Sequence, residues 1–177
     1  MIVLEDTRNQ VGKHDYKGEY FKQQGIEVRR TKLYVGDYTL PTNQSICIDT
    51  KRNLQEIVGN LSNAQEHIRM RNEFLRAQEA GIKLIVLVEN EGCLLRHKDF
   101  VYQNPTVLKL EDLQRWKNPR SFLYRYGKQL HPKAMKGEQL YKICKTMSER
   151  YGVEFQFCTP QDAGKRVIEI LTGGDKA

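Results

Sequence analysis

Asp49-Thr50-Lys51 closes the apolar run Ile46-Cys47-Ile48, and Gly36-Asp37 lies twelve residues upstream of Asp49. The run reads as a strand. Side chains alternate along a strand, so Asp49 and Lys51 share one face while Ile46 and Ile48 turn to the other, toward a core. A carboxylate and an ammonium side by side, joined by a second carboxylate from a neighbouring strand, can hold a hard divalent cation and a water. Oxygen ligands suit Mg²⁺, which keeps several waters and binds substrate phosphate. The lysine can stabilise an attacking water or the charge developing on a phosphate. Asp-x-Lys alone is a short pattern, and a strand end with alternating charge is normally just solvated. Its surroundings give it weight.

The elements that must position these residues can be read from periodicity and turn chemistry. Residues 1–6 form an apolar first strand. Residues 13–24 read as a helix stopped by Gly25. Residues 26–33 and 34–40 read as strands about a turn, and Pro41-Thr42-Asn43 as a second turn leading to the strand of Asp49. Asn53 is placed to cap the next helix, with Glu56 three residues on as a capping box. Leu54, Ile57, Val58 and Leu61 then make one buried stripe. Residues 64–80 give a second helix ended by Gly81. Residues 82–88 are almost continuously apolar, as in a strand covered on both faces. Residues 138–150 read as a helix with Leu140, Ile143, Cys144 and Met147 inward, and Val153, Phe155 and Phe157 alternate as a strand. Thr159-Pro160 opens the last helix with a capping hydroxyl and a proline at the first helical position, and Gly173-Gly174 ends it. Strands interleaved with helices predict an α/β fold with a mixed sheet flanked by helices. Residues 1–172 read as one domain and 173–177 as a tail. Residues 91–136 read as an insertion, with a short helix around 111–117.

Three segments carry a resemblance. Ile2-Val3-Leu4-Glu5-Asp6-Thr7-Arg8, Val35-Gly36-Asp37-Tyr38 and Cys47-Ile48-Asp49-Thr50-Lys51 resemble, in this order, three elements of the XPF/Hef nucleases: an apolar strand running into Asp-Thr-Arg, a Gly-Asp element and a Glu-Arg-Lys element. The resemblance spans about residues 1–90 and 137–172. That family comprises structure-specific DNA endonucleases of the PD-(D/E)XK superfamily, with a restriction-endonuclease-like core. It implies DNA hydrolysis with Mg²⁺ (or Mn²⁺), leaving a 5′-phosphate and a 3′-hydroxyl. Asp37 and Asp49 would hold the metal, Asp6 would support it directly or through water, and Lys51 would position and help deprotonate the attacking water. Arg8 and Arg52 flank these elements. Arg69, Arg71 and Arg76 lie on the helix that carries basic residues in the family, and with Arg8 and Arg52 they are expected to contact DNA phosphates, the alternative being a solvated face. The seven-residue spacing of Arg69 and Arg76 puts those two on one face. Family members commonly dimerise through this domain, which implies a homodimer. Two positions depart from the pattern. Asp49 replaces Glu and is shorter by one methylene, and Thr50 replaces an arginine, although Arg52 could supply charge nearby. The alternative is a non-catalytic DNA-binding module on the same fold. Glu19 and His67 read as solvated residues beside the site, and no Gly-x-x-x-x-Gly-Lys-Ser/Thr loop for ATP occurs.

Charge points to the same class of partner. Net charge is +7, and residues 96–136 carry all of it, with ten Lys or Arg against three acids. Arg115, Lys117, Arg120 and Arg125 alternate there with Phe100, Tyr102, Trp116, Phe122, Tyr124 and Tyr126. Such interleaving can bind phosphates while aromatics, Trp116 among them, stack on unpaired bases. The same aromatics could instead form a satellite core under a long loop. No stretch approaches the roughly 20 apolar residues needed to cross a bilayer, and the charged first strand is unlike a signal peptide. Cys47, Cys93, Cys144 and Cys158 form no Cys-x-x-Cys pair, which argues against zinc. They read as buried, reduced thiols of a cytoplasmic protein.

Overall fold

Val3, Ile48, Ile85 and Leu87 are buried on one face of a central sheet, and Cys47, Leu84, Val86 and Val88 on the other. The computed structural model describes residues 1–9, 15–97 and 100–174. Its elements are β1 (Ile2–Asp6), α1 (Asp15–Gln23), β2 (Glu27–Thr31), β3 (Tyr38–Leu40), β4 (Asn43–Lys51), α2 (Leu54–Ser62), α3 (Ala64–Glu79) and β5 (Lys83–Glu89). There follow β6 (Cys93–Arg96), β7 (Val101–Asn104), β8 (Tyr124–Arg125), β9 (Lys128–Gln129), α4 (Gly137–Tyr151), β10 (Glu154–Cys158) and α5 (Ala163–Thr172). The main sheet runs β10-β5-β4-β3-β1-β2. Its strands β10, β5 and β4 are mutually parallel, β3 is antiparallel to both β4 and β1, and β2 runs parallel to β1. This is the mixed, helix-flanked α/β sheet that the pattern predicts.

The alternation that separates Asp49 and Lys51 from Ile48 also divides the core. Phe21 of α1 and Val167, Ile170 and Leu171 of α5 cover the face of Ile48, Ile85 and Leu87. Leu54, Ile57 and Val58 of α2, Met70 and Phe74 of α3, and Leu140 and Cys144 of α4 cover the other. Asn53 caps α2 by accepting from the Glu56 N–H at 2.9 Å, but the Glu56 side chain accepts from Arg52 N–H instead of closing the box on Asn53. No helix among the described residues is long and apolar enough to cross a membrane.

Several expectations change. Residues 34–37 are not strand, because Gly36 turns the chain with φ of +73°. The first helix was expected from residue 13; residues 13 and 14 lie outside the described residues, as do 175–177 of the expected tail. Thr159 does not cap a helix starting at Pro160. Its hydroxyl donates to Asp162 Oδ2 at 2.7 Å within a turn, and α5 begins at Ala163. Cys93 is exposed, whereas the other three thiols are buried.

The insertion is more ordered than its sequence suggests. It contains the β6–β7 hairpin, 3₁₀ turns at Leu110–Gln114 and Pro119–Phe122, and the β8–β9 hairpin. Val107, Leu113 and Trp116 are buried in the main core with Leu140. Gly137 lets α4 approach this closely, since a Cβ there would meet Leu113 O at 2.0 Å and Trp116 O at 2.3 Å. Trp116, at 4% exposure, is therefore a core residue and not a stacking platform for bases. Its removal is a large-to-small core change, so Trp116→Ala should cost about 3–5 kcal/mol of folding stability. Urea unfolding checks this; a loss below about 1 kcal/mol would contradict the buried placement.

Candidate active site

The turn at Gly36 brings the first carboxylate to the end of β4. A Cβ on Gly36 would stand 2.9 Å from Ile48 O and 3.2 Å from Cys47 Cβ, so the close approach, like the positive φ, requires glycine. The turn is tied down on three sides. Asp37 N–H donates to Ile48 O at 2.6 Å, Asp6 N–H donates to Asp37 O at 2.8 Å, and Gly36 N–H donates to Glu73 Oε1 of α3 at 2.9 Å. Asp37 Oδ2 then accepts from both the backbone N–H of Thr50 at 2.8 Å and its hydroxyl at 2.7 Å.

Asp49 and Lys51 emerge on the α2/α3 side of the sheet as a buried ion pair, Nζ to Oδ1 at 2.7 Å. Asp49 is 5% and Lys51 9% exposed. The other oxygen, Asp49 Oδ2, is buried without any hydrogen-bond partner. An ionised oxygen left so is costly unless something positive meets it. Burial, with the neighbouring Asp49 charge, pushes the Asp37 carboxyl up to about 7, against the opposing pull of Thr50 and Lys51. Burial would lower the Lys51 pKa, but its pairing with Asp49 and the nearby Asp37 and Glu56 outweigh that and hold it above its ordinary value. Lys51 is thus a fixed cation at neutral pH. It can orient a water or stabilise an oxyanion, and it lowers a neighbouring proton's affinity by charge without itself taking the proton.

These groups line a polar pocket of about 300 Å³ that also includes Thr50, Gly36 and Asn9. Its cations are Arg8, Lys51, Arg52, Arg69 and Arg76, and its acids are Asp37, Asp49, Glu56 and Glu73. Among the described residues, no cluster of three or more His, Cys, Asp or Glu forms a metal cage. Two carboxylates, one with an orphaned oxygen, fit the sparse protein ligation of Mg²⁺, which completes its shell with water and phosphate.

The family model for the ERCC4 domain matches residues 6–170. The chain belongs to this family. Among solved structures it is similar to XPF from Aeropyrum pernix, with a TM-score of 0.57 at 13% identity, covering 100% of this chain and 63% of that one. It is equally similar to XPF from Aeropyrum pernix in complex with DNA, at TM-score 0.57 and 15% identity, covering 99% of this chain and 65% of that one. The chain thus spans somewhat under two thirds of these relatives. No curated protein matches it.

In this ERCC4 domain the sequence-expected residues divide. Asp37, Asp49, Lys51, Arg8, Arg52, Arg69 and Arg76 meet at the pocket. Asp6 does not line it. Its Oδ1 accepts from Arg8 N–H at 2.6 Å and Nε at 2.8 Å, and its Oδ2 from Arg8 Nη2 and Leu33 N–H, each at 2.8 Å. Burial would raise its pKa, but these bonds outweigh that and lower it. With both oxygens taken, Asp6 fixes Arg8 at the rim and leaves no lone pair aimed at the pocket. Arg71 and His67 sit on the opposite side of α3, in a groove with Lys142 and Arg150 of α4. Glu19 is exposed on α1. In the insertion, Arg115 pairs with Asp112 at 2.8 Å, Lys117 lies 4.5 Å above the Tyr102 ring and Arg125 5.4 Å from that of Tyr126, while Arg120 is exposed. Glu56 and Glu73 were not anticipated. Glu73 was detectable, being four residues after Arg69 and three before Arg76 on one helical face.

The raised Asp37 pKa has a stability consequence. A carboxyl that binds its proton more tightly folded than unfolded loses stability as pH rises from the ordinary carboxylate range through about 7. Asp37→Asn keeps an acceptor for Thr50 and removes the repelling charge. Without divalent cations it should therefore raise stability by about 1–3 kcal/mol at pH 8, and by less at pH 5, where Asp37 is already protonated. Thermal melts at both pH values check this; no gain at pH 8 refutes the like-charge pair.

Proposed function

We propose that this ERCC4 domain is a divalent-metal-dependent endonuclease that hydrolyses phosphodiester bonds in branched, flap or junction DNA. The observation carrying the reading is the buried, unpartnered Asp49 Oδ2 beside Asp37 and the Lys51 ammonium. A non-catalytic DNA module has no need of such an oxygen. DNA as substrate is supported by the pocket's arginines and by the DNA held in one of the related XPF structures.

Asp37 and Asp49 would hold the cation, and neither Asp6 nor a histidine is needed for it. Bound there, Mg²⁺ or Mn²⁺ would supply Lewis-acid stabilisation of charge building on the phosphoryl oxygens. Lys51, fixed by Asp49, presents its remaining N–H groups to the attacking water and to the same oxygens. Water attacks phosphorus and releases a proton to solvent. The bond from phosphorus to the 3′-oxygen breaks, and that oxygen takes up a solvent proton and leaves as the alcohol while the phosphate stays on the 5′ side. Arg69 and Arg76 on one wall, and Arg8 and Arg52 on the others, suit the phosphates flanking the scissile one. Arginine's fork matches phosphate oxygens two at a time. The family resemblance extends the reading to a homodimer, which sedimentation equilibrium would test.

Asp49→Asn and Lys51→Ala should each lower cleavage of a labelled flap DNA by about 10²-fold or more, as loss of one transition-state contact does, while circular dichroism stays native. EDTA should stop wild-type cleavage, and Asp49→Asn should lose the Mn²⁺ binding that calorimetry detects in the wild type. Wild-type cleavage in EDTA, or by either variant, would sink the assignment.

The joint variant Arg69→Ala, Arg76→Ala should weaken binding to all DNA sequences. It should also flatten the slope of log affinity against log salt by about 0.7–0.9 per lost phosphate contact. Arg71→Ala, across the helix, should leave that slope nearly unchanged. Equal effects from both variants would show that α3 does not hold DNA along its pocket face.

A further inference from the structure

The outer part of the insertion holds an aromatic cluster. The Tyr102 and Phe122 rings stack at 6.4 Å, Phe100 meets Phe122 edge-on at 6.1 Å, and His97 lies 4.5 Å from Tyr124. These contacts join most of the aromatics that the sequence interleaves with basic residues into a surface cluster, in which Phe100 and Tyr124 stay 54% and 44% exposed. Tyr126 is outside it. Its side chain stands at the tip of the β8–β9 hairpin and the residue is 92% exposed.

The backbone there is unusual. Arg125 pairs with Lys128, leaving Tyr126 and Gly127 as a two-residue loop. Their φ angles are 49° and 75°, both positive, as in a type I′ turn. The first loop position favours Asn, Asp or Gly, because a bulky side chain is disfavoured in the left-handed region. Tyr126 is the single non-glycine residue with positive φ among the described residues. A large apolar ring is thus kept in solvent on a backbone that disfavours it, a combination that folding does not explain. Strain of this kind points to a use.

The hairpin is also firmly mounted. Leu130 N–H donates to Leu123 O at 2.8 Å, and Gln129 Nε2 to Ser121 O at 2.6 Å. The preceding 3₁₀ turn is capped by Asn118, 3% exposed, whose Oδ1 accepts from Arg120 N–H at 3.0 Å and from Gln55 Nε2 of α2 at 2.8 Å. Gln55 adjoins Glu56, which lines the catalytic pocket. Tyr126 is therefore presented from a base clamped to the pocket's own helix. Around it the charge is positive. The Arg125 guanidinium lies 5.4 Å from its ring centroid, and the whole net charge of the chain falls within residues 96–136.

We propose that Tyr126 is a base-stacking residue that seats an unpaired nucleobase at the branch of a DNA substrate, so that the hairpin distinguishes branched from fully paired DNA. This rests on reading the pocket as a DNA nuclease site. A π face among cations is the combination that holds single-stranded nucleic acid, since phosphates meet the charges and bases meet the ring. Within an uninterrupted duplex every base face is already stacked, so Tyr126 adds little there.

The test uses the full chain in EDTA and two DNAs: a duplex bearing a single-stranded flap with 2-aminopurine at the first unpaired position, and a fully paired duplex of equal length. Tyr126→Asn removes the ring and suits the turn, so its melting temperature should equal or exceed that of the wild type. It should bind the flap DNA about 5- to 150-fold more weakly, with duplex affinity within about twofold of wild type, and should no longer quench the 2-aminopurine. Tyr126→Trp should keep both flap affinity and quenching. Unchanged flap affinity in Tyr126→Asn, or equal loss on both DNAs, overturns the assignment. Wild-type protein that binds neither DNA overturns the nuclease reading, and this inference with it. Wild-type preference for the flap that survives Tyr126→Asn overturns this inference alone.

Discussion

Two carboxylates, Asp37 and Asp49, share one half-closed pocket, and the surrounding structure exists to hold them together against their repulsion. In water such a pair would separate. Here β4 fixes Asp49, the Gly36 turn fixes Asp37, and the hydrogen bond from Asp37 N–H to Ile48 O locks one to the other. The burial that pushes the Asp37 pKa up would, on the proposed reading, also favour a divalent cation, which can replace the missing proton with two charges at once. Lys51 relieves only part of this. It meets one oxygen of Asp49 and leaves the other empty.

Each helix near the pocket is anchored by its polar groups as well as its core. Glu73 reaches from α3 to the Gly36 N–H, so the helix that carries Arg69 and Arg76 is registered against the turn that carries Asp37. Asp6 does the equivalent on the far side, holding Arg8 and the Leu33 N–H. The insertion is joined to α2 through Gln55 and Asn118 and to α4 through the Gly137 contact, so its placement follows from the same frame.

Much of this was legible in the sequence because it depends on period. Alternation in β4 placed Asp49 with Lys51, helical spacing placed Arg69 with Arg76, and the apolar stripes of α2, β5 and α4 defined the core, whereas Arg71, grouped with the other two arginines in the sequence, lies across the helix. What could not be read depends on pairing between distant residues. The carboxylate of Asp6 looks the same in sequence whether it faces a metal or Arg8; the choice is made by the Leu33 N–H, twenty-seven residues away. Trp116 sits among lysines and arginines in sequence, yet a glycine in α4 opens the space that buries it. Residues 34–37 carry strand-forming Tyr34 and Val35, but the turn at Gly36 overrides local preference.

A buried ion pair is not by itself a sign of function, and this chain contains a second one to compare. Lys17 of α1 pairs with Glu89 at the end of β5, and both are buried. Glu89 lies one position past Val88, which pairs in register with Lys51, so the two ion pairs occupy adjacent strand ends on opposite faces of the sheet. No buried atom of Lys17 or Glu89 lacks a partner. Such a pair is closed: it orients α1 on the sheet and contributes little net stability, because the desolvation of both charges offsets their attraction. The pair at Asp49 has the same chemical types and similar burial, but one oxygen is buried without a partner, in a residue that lines a pocket with a second carboxylate and four arginines. What sets the Asp49–Lys51 pair apart from the Lys17–Glu89 pair is therefore a single unsatisfied oxygen in a residue that lines a charged pocket, and it is on this difference that the proposed catalytic role rests.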